Sequence, residues 1–557
     1  MARQCPTAAT ADCVHRLHTV MVHCSAAADA TPTEPFRLGP IESLLPPVIP
    51  IAVVYVYAHA MDDPAQPQHP PGSPVCTVVD HVVLQQAMAR LLSYYPQLAG
   101  RLSLQPDGER VIDRLDSGAL FVEARCDKTL RELHEQRTAA RSAGAESSGN
   151  SNGNGGGGGG QGSPVLTLFD LPDGANALFA PYSPSLNDVV RDPLMSLQHT
   201  RFACGGVSLG VRISHALCDA HGFFLVVGHL AELYRSIKAG TGAAVVTRPP
   251  QWRSYLANFR AEATSDELAE ALSRTPAAYY VEATSPPPPT PPPQTAAAAA
   301  TATAAAADAS PVEVVGRELY FSAAQLDEIK RRATPADGSG GWVSTFEALS
   351  AFLWQSVYRA RCGADRRRGA ADTAALPVTD YLTSLNVRER FLASPADADT
   401  YFPVGCLTPT TTVSPLLLQD GPLDQVAAVL HALLRAPDLS SSEVQHTVRW
   451  LAAQPDRTRV RSRFSAGGFM LSAWNKFDVY GGAVFDAAPP VLVSTPFTCI
   501  SLVDGLGYIL PRPPPLRAAA AVQTSDPDPG GVVVYLALAA ELWDGVASDA
   551  LLGPYLA

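Results

Sequence analysis

The amino-acid sequence predicts a mixed α/β fold built from two halves of similar size. The chain has 557 residues, enough for two or three domains of about 100–200 residues each. Strand-like and helix-like apolar patterns are mixed through the first part of the chain, and the same mixture returns in the last part. Between them, residues 285–309 are rich in proline, alanine and threonine and too poor in large apolar residues to bury a core.

These changes in composition predict a division into residues 1–245, a crossover connection at 246–312 and residues 313–557. The first half carries another low-complexity tract at 142–163, with an unbroken glycine run at 155–160, and this composition is typical of a flexible insertion. The glycines do not form a phosphate-binding loop, because no lysine follows them as that pattern requires.

In the first half, apolar runs at 52–58, 165–169 and 207–213 predict strands, and helical spacing at 82–95 and 223–237 predicts helices. Residues 207–213 alternate between apolar and small or polar side chains, which predicts a strand with one buried face.

The second half begins with two predicted helices, at 322–333 and 344–361. The longer helix starts at Ser344 and has Glu347 three residues later, which is a capping-box pattern. Runs at 494–502 and 532–542 predict strands.

Composition and charge exclude several classes of function. A net charge of −12 disfavours nucleic acid as a partner, because binding to phosphates depends on lysine and arginine. No apolar stretch reaches the roughly 18 residues of a membrane span, and the start of the chain has no apolar signal segment. The ten cysteines show no zinc spacing and no disulfide framework. We therefore expect a soluble cytoplasmic protein without a metal, and a monomer.

His215 and Asp219 form an H-x-x-x-D element where the predicted strand 207–213 passes into the predicted helix 223–237. Loops on a rigid scaffold often carry chemistry, and an imidazole with a pKa near 6.5 can accept a proton around neutrality. The residues alone leave two interpretations open. His215 is a general base with Asp219 as a structural partner, or it is a core histidine held by a backbone carbonyl.

Further blocks along the chain repeat the pattern of one enzyme family. They lie at 94–102 (YYPQLAGRL), 118–124, 193–210, 344–349 with Trp354 and Arg361, 386–390 (NVRER) and 401–402. With the H-x-x-x-D element, these blocks make the chain resemble the BAHD family of acyl-CoA-dependent acyltransferases, of the plant hydroxycinnamoyl and acetyl transferase type. The resemblance spans most of residues 14–557, apart from the two low-complexity tracts.

The resemblance implies a chloramphenicol acetyltransferase-like architecture with two mixed sheets, and an active site in a tunnel between the halves. It also implies transfer of an acyl group from acyl-CoA to a hydroxyl or amine of a small-molecule acceptor of specialised metabolism. A thioester is already activated, so no covalent acyl-enzyme is needed.

The same resemblance assigns roles to individual residues. His215 is the general base, and Ser472 and Trp474 lie near the oxyanion of the tetrahedral intermediate. Asp219 faces away from the substrate and orients the loop by pairing with Arg388.

One family landmark is eroded in this chain. Family members carry D-F-G-W-G after a serine-tryptophan block, and in the register set by Trp474 that position is held by Ala483, Val484, Phe485, Asp486 and Ala487. The motif is structural in the family, so its loss bears on domain packing or CoA affinity. A catalytically impaired relative that acts as a binding protein is therefore an alternative.

A serine hydrolase is a weaker alternative, because residues 206–210 read G-x-S-x-G with Ser208 at the centre. A nucleophile elbow requires a sharp turn between a strand and a helix. Ser208 instead falls in the middle of the predicted strand 207–213, which disfavours this interpretation.

Overall fold

The structure, a computed structural model, describes residues 11–25, 34–58, 78–105, 109–147, 165–240, 244–282, 312–335, 341–367, 376–514, 528 and 530–556. Its strands are β1 (Val14–Val22), β2 (Phe36–Arg37), β3 (Pro50–Tyr57), β4 (Arg101–Leu104), β5 (Arg110–Asp113), β6 (Ala119–Cys126), β7 (Met195–Phe202), β8 (Val207–Ser214), β9 (Tyr279–Val281), β10 (Val314–Phe321), β11 (Asp380–Thr383), β12 (Leu385–Asn386), β13 (Cys406–Leu407), β14 (Thr410–Thr412), β15 (Val460–Ser462), β16 (Phe469–Ala473), β17 (Leu492–Ser494), β18 (Leu506–Pro511) and β19 (Val532–Ala539). Its α-helices are α1 (His81–Leu91), α2 (Leu130–Ser147), α3 (Leu186–Val189), α4 (Ala220–Ala239), α5 (Phe259–Glu262), α6 (Ser265–Leu272), α7 (Ala323–Arg332), α8 (Thr345–Arg367), α9 (Arg388–Phe391), α10 (Pro395–Thr400), α11 (Pro415–Asp420), α12 (Leu423–Leu434), α13 (Ser441–Ala453), α14 (Trp543–Ala547) and α15 (Gly553–Leu556).

Two six-stranded mixed sheets, one in each half, organise these elements. The first has the order β1-β6-β7-β8-β3-β17, in which only β6 and β7 are parallel. The second has the order β10-β19-β18-β16-β11-β14, in which β16 is parallel to both of its neighbours. The predicted mixed α/β class with two sheet-containing halves is confirmed.

Each half has a buried core, and the core of the first half also contains Leu510, Val533 and Tyr535 of the second sheet. In the first half, β3 is apolar along nearly its whole length and fully buried at Val53 to Val56, with α1 and α4 packed against each other nearby. In the second half, the long helix α8 is the central element and packs against α7, α12 and α14. The helix buries residues on all sides, which is typical of a helix inside a large domain rather than on its surface.

One strand connects the halves. β17 comes from the C-terminal half but pairs with β3 of the first sheet, with Leu492 opposite Val56 and Ser494 opposite Val54. Without β17 the apolar strand β3 would present an open edge, which favours pairing with other chains. The first sheet is therefore completed only by residues from the far end of the sequence.

Most predicted elements are present, and two strands are wrong. The predicted strand at 165–169 is a short 3-10 turn, Leu168–Asp170, because the Asp170 carboxylate and Thr167 bond reciprocally and close the turn. The predicted strand at 494–502 ends at Ser494, because Pro496 has no N–H and Thr498 and Ser501 bond each other locally.

The two low-complexity tracts contribute little to the described structure. The tract at 285–309 lies outside the described residues, as does most of the tract at 142–163, whose first six residues continue helix α2. The predicted boundaries of the connection stay predictions. Among the described helices, none is long and apolar enough to span a membrane.

Candidate active site

A cavity of about 940 Å³ lies between the two halves. The first half contributes Arg212 of β8 and His215, which follows that strand, and the second half contributes Ser384, Ser472 and Trp474. The cavity therefore brings together the sequence-predicted residues His215, Ser472 and Trp474, although His215 lies more than 250 residues before the other two. No group of three histidine, cysteine or acidic side chains that could hold a metal occurs among the residues with described positions.

His215 is placed by the junction between β8 and α4. The strand ends at Ser214, and the backbone N–H of His215 donates to the carbonyl of Ile49 at 2.9 Å. Helix α4 begins at Ala220 with Asp219 as its N-cap, whose carboxylate accepts the N–H of Gly222 at 3.2 Å. The five residues from His215 to Asp219 thus form a short connection that is tied at both ends.

Gly222 allows the second half to approach this junction closely. A Cβ atom at this position would lie 2.1 Å from the carbonyl oxygen of Phe402. Any side chain here would push the first turn of α4 away from the second half, so the absence of a side chain is a packing requirement.

The imidazole of His215 is partly buried in the wall of the cavity. Nδ1 is buried and has no hydrogen-bond partner among the described groups, so Nε2 is the nitrogen left to face the cavity. Burial lowers the pKa of His215 below its usual value, and the Asp219 charge and the carbonyls of His215 and Cys218 oppose this effect only in part. The side chain is therefore neutral at pH 7 and able to accept a proton.

Asp219 pairs with Arg388 across the boundary between the halves. Arg388 Nη2 donates to Asp219 Oδ1 and Arg388 Nη1 to Oδ2, both at 2.8 Å, and the N–H of Gly405 donates to Oδ2 at 2.9 Å. Together with the cap to Gly222, these bonds occupy both carboxylate oxygens. The imidazole of His215 is not among these partners, so the H-x-x-x-D element is not a hydrogen-bonded His–Asp dyad in this structure.

The charges of this pair are strongly stabilised. Asp219 is 5 % exposed and Arg388 is 1 % exposed. Burial opposes ionisation of Asp219, but the Arg388 charge, its hydrogen bonds and the Gly405 N–H together lower the pKa to about 2. Arg388 also donates to the carbonyls of Tyr401 and Pro403, which fixes its guanidinium within the second half.

Ser472 lies on β16 and contacts Ser384, a residue that no sequence motif marks. β11 and β16 are parallel, with Thr383 opposite Leu471, so the next residues Ser384 and Ser472 lie side by side at the same edge of the sheet. Their hydroxyl oxygens are 2.7 Å apart. Ser384 stands two residues before the N-V-R block at 386–388, but only the sheet register identifies it as a neighbour of Ser472.

Trp474 follows β16 directly and is held in place by its backbone and by aromatic contacts. Its backbone N–H donates to the carbonyl of Ile509 at 2.8 Å, and its ring packs against Phe224 of α4 and Tyr508 of β18. The tryptophan is 7 % exposed and lines the cavity. Its ring therefore forms part of the wall where helix α4 meets the second sheet.

The eroded segment at 483–487 packs against α4, and none of its residues is among those that line the cavity. The Tyr57 hydroxyl donates to the Ala483 carbonyl at 2.8 Å, and Arg235 donates to the Val484 carbonyl. Asp486 accepts hydrogen bonds from Tyr234 and Lys238, and Phe485 is buried against the rings of Tyr57 and Tyr234. The segment thus anchors the second half to β3 and α4, without the family motif.

Ser208 does not have the backbone geometry of a hydrolase nucleophile. It is fully buried in the middle of β8, opposite Val56 of β3, and does not line the cavity. The strand is buried on both faces rather than one, because the backbone of Gly210 lies directly against the Leu178 carbonyl. A regular buried strand does not supply the exposed turn that a hydrolase elbow needs.

Comparison with known proteins identifies relatives of the whole arrangement. A family model described as "Transferase family" matches residues 31–143 and 165–500. Alcohol acyl transferase 2 of Malus domestica is 26 % identical over 273 residues, which is 49 % of this chain and 46 % of the relative. The 3'-N-debenzoyl-2'-deoxytaxol N-benzoyltransferase of Taxus canadensis is 28 % identical over 178 residues, which is 32 % of this chain and 31 % of the relative. The chain thus spans less than half the length of these curated relatives.

Two solved structures share the fold over nearly the whole chain. Vinorine synthase matches with a TM-score of 0.56 at 16 % identity, covering 96 % of each chain. TRI101 of F. sporotrichioides, complexed with coenzyme A and T-2, matches with a TM-score of 0.58 at 20 % identity, covering 94 % of this chain and 99 % of its own. At these identities the likeness establishes the two-halved architecture.

Proposed function

Because the chain belongs to the Transferase family, the BAHD acyltransferases, we propose that it transfers an acyl group from acyl-CoA to a hydroxyl or amine of a small-molecule acceptor. The observation that carries this proposal is the position of His215, a neutral imidazole in the wall of a cavity between the halves. The named activities of the two curated relatives, an alcohol acyl transferase and an N-benzoyltransferase, support it. The coenzyme A bound in the TRI101 structure supports acyl-CoA as the donor.

In the proposed reaction, the acceptor hydroxyl or amine forms a bond to the thioester carbonyl carbon while its proton passes to Nε2 of His215. The carbonyl oxygen gains negative charge, and the Ser472 hydroxyl and Trp474 are the groups that we assign to its neighbourhood. Collapse of the intermediate breaks the carbon–sulfur bond and releases CoA, which takes the proton from the imidazolium. The Cys218 thiol is buried and its pKa is raised by burial, so it does not serve as a nucleophile in this scheme.

Asp219 takes no part in proton transfer in this proposal. Its two oxygens are occupied by Gly222, Arg388 and Gly405, and its pairing with Arg388 holds the His215 loop against the second half. We therefore assign Asp219 and Arg388 as positioning residues.

A thiol-release assay with a panel of acyl-CoA donors and alcohol or amine acceptors tests the proposal. His215→Ala should lower turnover by about 10²–10⁴, the usual contribution of a general base. His221→Gln is the control, because His221 also lines the cavity but its Nε2 lies 3.1 Å from the Asp399 carbonyl oxygen. We expect that variant to stay within about tenfold of the wild type.

Two outcomes of this assay would overturn the proposal. Near-normal turnover by a folded His215→Ala protein would remove the histidine from the mechanism. Absence of CoA release by the wild type with every donor and acceptor would favour the binding-protein alternative suggested by the eroded segment at 483–487.

A further inference from the structure

Arg212 places a positive charge in the wall of the cavity that also contains the proposed base, His215. It lies on β8, three residues before His215, and lines the same cavity. On the flanking strands its backbone pairs with Ala52 of β3 and Ser196 of β7, so neither neighbour places an acidic residue directly beside it. The guanidinium is therefore part of the wall that a substrate would meet.

The hydrogen-bond donors of Arg212 are poorly satisfied compared with those of other buried arginines in this chain. Arg101 donates to the carbonyls of five residues, and Arg388 donates to a carboxylate and to further carbonyls. Arg212 has one such bond, from Nη1 to the Ala180 carbonyl at 2.6 Å, and its Nε is buried without a partner in the described structure. A guanidinium has five N–H donors, so most of its capacity is unused.

The charge of Arg212 is also not balanced by a carboxylate. Among the described residues Arg212 forms no ion pair within 4.0 Å, and the Asp192 carboxylate acts on its charge only from a longer distance. Its guanidinium carbon lies 5.4 Å from the ring centre of Phe179 and 5.0 Å from that of Tyr182, so these cation–π contacts and the hydrogen bond to Ala180 hold it in place. Burial lowers the pKa of Arg212 to about 10, and the charges of Tyr182, Cys499 and Asp192 oppose this effect only in part.

We propose that Arg212 binds a carboxylate carried by one of the two substrates, and so selects for an anionic group close to the reacting centre. This inference rests on the proposed acyl transfer. The carboxylate belongs either to the acyl donor, as in a dicarboxylic acyl-CoA, or to the acceptor, as in a hydroxy acid. Planar guanidinium and carboxylate groups match in shape and charge, and a ligand carboxylate would use the free donors of Arg212.

The donor arm of the test compares malonyl-CoA with isovaleryl-CoA, in which two methyl groups replace the two carboxylate oxygens. Equilibrium binding of both, and of free CoA, is measured by calorimetry with the wild type and with Arg212→Met and Arg212→Lys. If the donor carries the carboxylate, the wild type prefers malonyl-CoA by roughly 10- to 100-fold, and Arg212→Met abolishes this preference.

The acceptor arm uses acetyl-CoA and each acceptor found active in the thiol-release screen, in carboxylated form and as the matching primary amide. If the acceptor carries the carboxylate, the wild type has a kcat/KM roughly 10- to 100-fold higher for the acid, and Arg212→Met removes the difference. The Arg212→Lys variant should retain part of the preference in either arm, because it keeps the charge but not the planar fork.

Arg16→Gln is the matched control, because Arg16 also lines the cavity but is exposed to solvent. It removes the same charge and should leave the ratio between charged and neutral substrates unchanged. Circular dichroism and thermal unfolding verify that the Arg212 variants are folded.

Two results would overturn the inference. The first is an active wild type that shows no preference for a carboxylate in either arm, a result that can be observed without any variant. Alternatively, Arg212→Met weakens free CoA, isovaleryl-CoA and malonyl-CoA equally, which would assign Arg212 to the CoA phosphates. Failure of the proposed acyl transfer gives a different result. In that case no combination of donor and acceptor releases CoA, but the calorimetric preference for malonyl-CoA over isovaleryl-CoA still tests the role of Arg212.

Discussion

His215 lies where the imidazolium form is destabilised, and this sets the expected pH dependence. A base must be neutral to accept a proton, and burial lowers the pKa of His215 below its usual 6.5. Lowering the pKa of a base extends its active range toward acid. We therefore expect kcat/KM to be independent of pH near 7 and to fall tenfold per pH unit only at a pH below 6.5. A profile whose acid limb has its midpoint above 6.5 would contradict this environment.

Ser384 is expected to act on catalysis through Ser472. Ser472→Ala should lower kcat by about 10²–10³ if its hydroxyl stabilises the oxyanion. Ser384→Ala removes the hydrogen bond that orients this hydroxyl, so we expect a loss of roughly 3- to 10-fold in kcat with little change in KM. Ser384→Thr retains a hydroxyl and should restore most of the rate.

Thr383→Val serves as the control for this pair. Its hydroxyl donates to the Leu471 carbonyl at 2.7 Å from the adjacent position of the same two strands, but it is buried away from the cavity. It should lower stability while leaving kcat of the folded protein unchanged. An equal kcat loss in Thr383→Val and Ser384→Ala would show that strand packing, not hydroxyl orientation, is responsible.

At the residue scale, the sequence predicts only those site residues whose role follows from their neighbours along the chain. The H-x-x-x-D element stands between a strand and a helix that the sequence predicts, so its position at a junction follows from its neighbours. Ser384 and Arg212 differ, because their importance depends on what lies opposite them. The register of β11 against β16 and the rings of Phe179 and Tyr182 are set by contacts that no local pattern encodes.

At the element scale, the pair between Asp219 and Arg388 fixes the start of α4. Asp219→Asn would leave the buried Arg388 charge without its counterion, so we expect a loss of about 3–5 kcal/mol in the free energy of unfolding. The double variant Asp219→Leu/Arg388→Met leaves no buried charge and should be less destabilised than Asp219→Asn. Chemical denaturation at pH 7 measures both.

The same pair predicts a pH dependence of stability. The pKa of Asp219 is about 2 in the folded protein, below the usual 3.8, so the carboxylate stabilises the fold fully above pH 3.8. That stabilisation is lost as the pH falls toward 2. The gap between wild type and Asp219→Asn should therefore persist from neutral pH to about pH 4 and narrow below it. Asp486→Asn is the control, since Asp486 and its partner Lys238 are 18 % and 46 % exposed, and such a pair contributes at most about 1 kcal/mol.

Elements with strong local signals are those that the sequence predicted well. The helix predicted at 344–361 is α8. At its start the Ser344 N–H donates to the Glu347 carboxylate, and the Glu347 N–H donates to the Ser344 hydroxyl, as the capping-box pattern predicts. Of the two wrong strands, the one at 165–169 is a run of only five residues, and the one at 494–502 contains a proline and four serine or threonine residues. Local side-chain bonds and a proline decided their conformation instead.

At the scale of the whole molecule, the two halves are expected to unfold together. β17 completes the first sheet, the segment at 483–487 packs on β3 and α4, and the Asp219–Arg388 pair crosses between the halves. Loss of either half therefore exposes the core of the other. Scanning calorimetry should show one transition, with a calorimetric enthalpy close to the van't Hoff value. Two separated transitions would show that the halves are thermodynamically independent.

The division into two mixed halves was predictable, because both halves repeat the same mixture of strand and helix patterns. The pairing of β17 with β3 of the first sheet was not predictable. The strand has three residues, too few for a recognisable period, and its partner β3 lies more than 400 positions earlier. The cavity was expected between the halves from the family resemblance, but its shape and charge depend on side chains from both sheets.

The late position of β17 in the sequence has a consequence for synthesis in the cell. A ribosome makes β3 early, but the strand that covers its edge emerges only after residue 494. At about 5–20 residues per second, the edge of β3 stays open for roughly 20–90 s on each nascent chain. During that time neighbouring chains on one messenger can pair through it, so we expect chaperone supply and translation speed to govern the yield of active protein.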